Sequence, residues 1–323
     1  EKKTIDLVMQ PVSPKILYEH CYGRYAIAAV NVFTMEQVHG LFSAAQDSNT
    51  PVIVQITPAA RNYAHPKMLR NMVQAAADIY SRTVYAVHLD HGVEEHIDDA
   101  INDSYTSVMI DASHDDFETN IRRTRLVVEK AHARNIVVEA ELGVLSGVED
   151  DMSVDDSKAR YTDPAQAREF VERTGCDSLA VAVGTSHGAY KFSGAAGIRF
   201  DVLEKIQQAL PAYPLVLHGS SRVSSKIIHS INEYGGRLES NASGVPDDDV
   251  KKAVALGVCK VNIATDLRLL WTSVHRRFFH EQPELFDPII PGKEYMKAYR
   301  EFMIEKFEVL GSKGKASSIK LQQ

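Results

Sequence analysis

Residues 84–92 read VYAVHLDHG, a β-branched apolar run that ends in His88, Asp90, His91 and a glycine. A strand that stays apolar along its length and turns charged only at its end is buried on both faces and opens onto a site. Seven more stretches repeat the pattern: 25-YAIAAVNV, 52-VIVQIT, 107-SVMIDAS, 137-VVEAELG, 178-SLAVAVG, 214-PLVLHG and 258-VCKVNIA. Amphipathic segments such as 117–133 and 250–256 lie between them. Eight strands alternating with helices imply parallel pairing and a closed (β/α)8 TIM barrel within the α/β class. An open doubly wound sheet would need a nucleotide-binding glycine fingerprint, which the sequence lacks. The expected organisation is one domain over 1–323, with a barrel core at about 25–280. Helical additions are expected at the N-terminus and at about 293–311.

Composition narrows the function classes. The chain has 323 residues, 44% hydrophobic and 24% charged, which excludes disordered and fibrous classes. Lys and Arg number 36 against 43 Asp and Glu, a net charge of −7, and no basic run is present. Neither a nucleic-acid nor a membrane partner is expected. No apolar run approaches the ~20 residues of a membrane span, and no signal peptide is read at the N-terminus. Cys21, Cys176 and Cys259 are odd in number and widely spaced. They support neither a disulfide framework nor a zinc ribbon, so a reducing, cytoplasmic setting is expected.

Polar residues interrupt the strands at their C-terminal ends, the face on which barrels carry their sites: Asn31, Thr57, His88, Asp90, His91, Asp111, Glu139, Glu141, His187, His218 and Asn262. One such residue is ordinarily a hydrogen-bonded structural group. Eleven together need pairing or a metal, because charge is otherwise excluded from a barrel core. His91, His187 and His218 each precede glycine and arrive from different strands, so they can converge on one cation and leave room for substrate. Nitrogen ligands favour zinc, with cobalt, iron or manganese as substitutes. His88 stands at an odd offset from His91 and is expected to point elsewhere, giving at most a supporting hydrogen bond. Asp90 beside the metal is a candidate general acid/base. Asp111, Glu139 and Glu141 suit either a second cation or hydrogen bonds that orient the ligands. Gly188, Lys191, Gly219, Ser220, Ser221 and Thr265 supply donors for a phosphate. The glycine-rich segment 184–197 and the acidic segment 143–163 are expected to be a phosphate-cradling loop and a lid or binding loop.

Six motifs in order, HLDHG, SVMIDAS, VEAELG, GTSHGAYKF, LHGSS and VNIATDLR, resemble the class II, zinc-dependent ketose-bisphosphate aldolases over about Tyr25 to Gly311. The phrasing GVLSGVEDD and INEYGG is most similar to the branch found in some anaerobic bacteria and protists. The resemblance implies a barrel homodimer or higher homo-oligomer that interconverts a ketose 1,6-bisphosphate with triose phosphates. It implies zinc on His91, His187 and His218, catalytic Asp90, a second divalent or monovalent cation near Asp111 and Glu141, and a loop acid at Glu149. Asn31, Thr57, Asn262, Ala264 and Arg268 join the substrate-binding candidates.

Three departures concern the sugar. Ala264 stands where the family motif Asn-x-Asp-[Ser/Thr]-Asp has its first acid, as in tagatose-bisphosphate relatives. Thr57 and Ser146 replace a usual Ser and Gly. A tagatose or broad ketose-bisphosphate aldolase is therefore the alternative, and a metal-dependent hydrolase, a non-catalytic sugar-phosphate binder and a Schiff base on Lys260 are further ones.

Overall fold

The computed structural model describes residues 10–145, 147–149, 152–154, 160–186, 197–239 and 244–321. Among them the strands are β1 (Ile27–Asn31), β2 (Val52–Ile56), β3 (Tyr85–Gly92), β4 (Ser107–Ile110), β5 (Val137–Leu142), β6 (Gly147–Glu149), β7 (Met152–Val154), β8 (Ser178–Val181), β9 (Leu215–Leu217) and β10 (Val258–Ile263). The helices are α1 (Pro14–Cys21), α2 (Met35–Asp47), α3 (Pro58–Ala64), α4 (Pro66–Ile79), α5 (Glu94–Asn102), α6 (Phe117–His132), α7 (Pro164–Thr174), α8 (Phe200–Ala209), α9 (Ser225–Glu233), α10 (Asp247–Ala255), α11 (Thr265–Glu281) and α12 (Ile289–Val309).

Eight strands close a parallel barrel in the order β1-β10-β9-β8-β5-β4-β3-β2. These are the eight runs read from the sequence. Their outward residues, among them Ala28, Val54, Leu89, Val108 and Val138, meet the helices in the main apolar core. Local chemistry sets the helix starts. Asp116 caps α6 by accepting from Thr119 N at 3.0 Å, and Asp163 caps α7 by accepting from Gln166 N at 2.9 Å.

The barrel interior changes character along its axis. At its N-terminal end Leu17, Tyr18 and Cys21 of α1 pack with Ile27, Ala29, Ile53, Ala86 and Val137, closing the barrel with an apolar plug. Two residues further along the inward faces the side chains are Asn31, Gln55, His88 and Glu139, all buried. At the C-terminal extension, α12 packs against α2 and α11. A Cβ on Gly40 of α2 would stand 2.8 Å from the Tyr299 ring, so glycine allows this approach.

The acidic segment after β5 contains regular structure. β6 and β7 pair antiparallel, and Val144 bridges Arg160 below them. Ser146 lies outside the described residues, as do most residues of the glycine-rich segment.

Candidate active site

A bulge in β3 builds the centre of the site. Leu89 pairs with Val108, but the next partner of β4 is Gly92 opposite Ile110, so β3 carries one extra residue. His91 takes φ 48°, a left-handed conformation that a non-glycine residue adopts only where its surroundings hold it. The bulge re-aims the chain, and ligand atoms of Asp90, His91 and His218 come within 4.8 Å of one another.

Each histidine is oriented by a carboxylate. His91 Nδ1 lies 2.8 Å from Asp111 Oδ2, and His218 Nε2 lies 2.9 Å from Glu139 Oε1. If these outer nitrogens donate, His91 Nε2 and His218 Nδ1 are both left with lone pairs, and they face each other at 3.1 Å. Two nitrogens bound to one tetrahedral zinc at about 2.0–2.1 Å would be about 3.3–3.4 Å apart. Glu141 Oε2 is buried without a hydrogen-bond partner among the described residues, 3.8 Å from His218 Nδ1. The donor set, its spacing and this unpaired acceptor fit a divalent cation.

The electrostatics follow from burial and pairing. Burial lowers the His218 imidazole, and it pushes His88 down to about 3 with the Lys260 ammonium acting in the same direction. Burial and the neighbouring Asp111 raise the Glu141 carboxyl to about 8. Burial opposes ionisation of Glu139 and Asp111 too. Lys260 and His218 nevertheless hold Glu139 below the usual carboxylate range, and His91 does the same for Asp111.

Asp90 is fully buried and held by three side-chain amides. Asn31 Nδ2 and Gln55 Nε2 donate to its Oδ2 at 3.1 and 3.3 Å, and Asn262 Nδ2 donates to Oδ1 at 3.4 Å. Gln55 escaped the sequence reading. It sits in register with Asn31 and His88, and its inward position two residues after Ile53 is the signal that could have found it. His88 binds Ser107 Oγ at 2.7 Å and approaches Glu139 Oε2 at 3.6 Å, so it faces the barrel interior and reaches the His218 arm through the shared carboxylate.

The loops after β8 and β9 lock together. Thr185 Oγ1 donates to His218 O at 2.7 Å, and Gly219 has φ +60°, where a Cβ would stand 2.5 Å from Ser186 O. Ser220 Oγ donates to Asn262 O at 3.3 Å. Asp266 accepts from Arg222 N and Val223 N at 2.9 and 2.8 Å, fixing the turn after Ser221. Thr265 opens α11, and Ala264 precedes it with no side-chain cap. Thr57 Oγ1 caps α3 by accepting from Ala60 N at 3.2 Å, and it shares a cleft with Phe33, Tyr63 and Arg268. His187, Gly188 and Lys191 lie outside the described residues. Glu149 contributes backbone to β6, and its side chain is likewise outside the described part.

Known proteins are similar to this chain over most of its length. The family described as fructose-bisphosphate aldolase class II matches residues 13–238 and 240–315. A fructose-bisphosphate aldolase of Thermus caldophilus is 43% identical over 296 residues, covering 90% of this chain and 95% of that protein. One of Giardia intestinalis is 41% identical, covering 92% of each. The crystal structure of the YdjI aldolase from Escherichia coli K12 superposes with a TM-score of 0.75 at 32% identity, over 95% of this chain and 100% of that one.

Proposed function

The chain belongs to the class II fructose-bisphosphate aldolases, metal-dependent lyases of phosphorylated sugars, and from that premise we propose how its residues divide the work. His91, His187 and His218 hold a zinc ion, and Asp90 is the acid/base. The observation that carries the reading is the 3.1 Å approach of His91 Nε2 to His218 Nδ1, with a carboxylate behind each ring. His187 is assigned from its motif, supported by the packing of its chain neighbour Ser186 on Gly219.

Cleavage of a ketose 1,6-bisphosphate breaks C3–C4 and yields dihydroxyacetone phosphate and glyceraldehyde 3-phosphate. A cation held by these histidines would supply Lewis acidity to the C2 carbonyl, which the electron pair left on C3 needs as a sink. Asp90 takes the C4 hydroxyl proton as the aldehyde forms and returns it in condensation. Its three amide donors keep the carboxylate aimed while burial excludes water. Glu149 exchanges the C3 proton. Gly188, Lys191, Gly219, Ser220, Ser221 and Thr265 bind phosphate, and Asn31, Thr57, Asn262, Ala264 and Arg268 line the sugar. Asp111 and Glu141 orient His91 and the cation, or hold a second one.

The reading includes a homodimer or higher homo-oligomer in the cytoplasm. Among the described residues no helix is long and apolar enough to cross a membrane. A coupled assay with fructose and tagatose bisphosphates tests the function. Chelator should abolish triose phosphate release and zinc should restore it. Full activity in verified metal-free protein, with Lys260 trapped by borohydride and substrate, would falsify the metal reading.

A further inference from the structure

Lys260 is a fully buried cation that the scheme above leaves unused. It lies on β10 in register with Ile27, a residue of the apolar plug, and is 0% exposed. Burying an ammonium is costly unless its partners are well placed. Lys260 Nζ has two such partners, Glu139 Oε2 at 2.8 Å and Asn262 Oδ1 at 2.8 Å. A fully buried amine engaged by a carboxylate is badly placed to attack a carbonyl, so the interest of Lys260 lies in what its partners touch.

Both partners lead to the chemistry. The second oxygen of Glu139 accepts from His218 Nε2 at 2.9 Å, and Asn262 Nδ2 donates to Asp90 Oδ1 at 3.4 Å. We propose that Lys260 is a positioning residue that couples the metal-holding and proton-transferring halves of the site. It grips Glu139 behind His218 on one side and Asn262 behind Asp90 on the other. The inference rests on the reading of His218 as a metal ligand and Asp90 as the acid/base.

The ammonium acts differently on its two arms. On the Glu139 arm it supplies the opposite charge that keeps a buried carboxylate in place as acceptor for His218. On the Asn262 arm it fixes which way the amide faces. An ammonium only donates, so it draws the amide oxygen to itself and turns the NH2 toward Asp90. A neutral side chain of the same length would leave Glu139 without its ion pair and Asn262 free to turn over.

The test uses full-length protein and five variants: Lys260→Met, Lys260→Gln, Glu139→Gln, the double variant Lys260→Met/Glu139→Gln, and His218→Ala. Zinc affinity is read by competition with a chromogenic chelator, and kcat and KM are measured per bound zinc. Lys260→Met should weaken zinc by about 10–100-fold, the usual cost of losing a group that supports a metal ligand. It should also lower kcat at saturating zinc by about tenfold or more, with KM near that of the parent. Because the zinc effect runs through Glu139, the double variant should bind zinc no more weakly than Glu139→Gln alone, yet keep the kcat loss.

If Lys260→Met does not fold, the double variant, which buries no lone charge, and Lys260→Gln carry the same comparison. Parent-like zinc affinity and kcat in the Lys260 variants overturn the proposal, as do additive zinc losses in the double variant. His218→Ala separates the two layers. Unchanged zinc binding there sinks the ligand reading itself, whereas lost binding beside an unaffected Lys260→Met sinks only the coupling role.

Discussion

His91 Nε2 and His218 Nδ1 meet at 3.1 Å across 127 residues of sequence, and each ring is held from behind by its own carboxylate. The arrangement makes sense with a cation between the rings, because the proton that each outer nitrogen gives its carboxylate leaves a lone pair facing inward.

The carboxylates should therefore matter to metal affinity. Asp111→Asn replaces an acceptor with an amide that can present its NH2 to the ring, so zinc should bind about 10–100-fold more weakly. Competition against a chelator of known affinity reads this directly. Parent-like affinity would mean that the ring is fixed by the β3 bulge alone.

Asp90→Ala should lower kcat by roughly 10²–10⁴ while metal content stays near that of the parent. Gln55→Leu, which removes one of three amide donors and leaves the carboxylate, should cost less. A variant at Asp90 that loses its zinc but turns over normally per metal would make Asp90 a support of the metal and not the acid/base.

Legibility in the sequence followed the kind of signal. All eight barrel strands could be read because a doubly buried strand is a continuous β-branched run, and the candidate site residues were those polar residues that end one. Gln55 was missed because it sits inside its run. The inward face of His88 was missed because the reading treated β3 as having no bulge, so its offset from His91 misplaced it. The one-residue insertion at Asp90 and His91 is a property of the β3–β4 pairing, which no single strand records. The cap that Asp266 provides to Arg222 and Val223 joins segments 44 and 43 residues apart, and local spacing carries no trace of it.

The buried imidazole of His88 predicts a pH dependence of folding. Its folded value is held down to about 3 from an unperturbed 6.5, chiefly by burial. Stability present above pH 6.5 is lost as the pH falls toward 3, because in that window only the unfolded chain takes up the proton. The slope from this group approaches about 1.4 kcal/mol per pH unit. Urea unfolding of metal-free protein between pH 7 and 4 should show a shallower loss in His88→Gln. Equal slopes would mean that His88 is already charged in the fold.

Glu149 should act on the C3 proton and leave metal binding alone, since it lies in the β6 hairpin beyond the strand that carries Glu139 and Glu141. Solvent exchange into dihydroxyacetone phosphate should slow sharply in Glu149→Ala with zinc content unchanged. An unaltered exchange rate returns Glu149 to the status of one more acid in an acidic segment.

Sugar choice is predicted to turn on Ala264. The residue is 6% exposed, two positions beyond the Asn262 that holds Asp90, and it directly precedes α11 without a side-chain cap. A carboxylate here would add an acceptor beside the hydroxyl-bearing carbons. A hydrogen bond to a charged group contributes about 1.5–3 kcal/mol, which at 1.4 kcal/mol per decade is roughly ten- to hundredfold in discrimination. The parent should therefore cleave fructose 1,6-bisphosphate yet accept the tagatose epimer better than relatives with the acid, and Ala264→Asp should raise the fructose-to-tagatose ratio of kcat/KM. The same substitution can cap α11 and raise Tm, but a stability gain acts on both substrates alike and leaves the ratio unmoved. A parent that already discriminates by several decades, with a ratio untouched by Ala264→Asp, would assign the reading of the sugar to another residue.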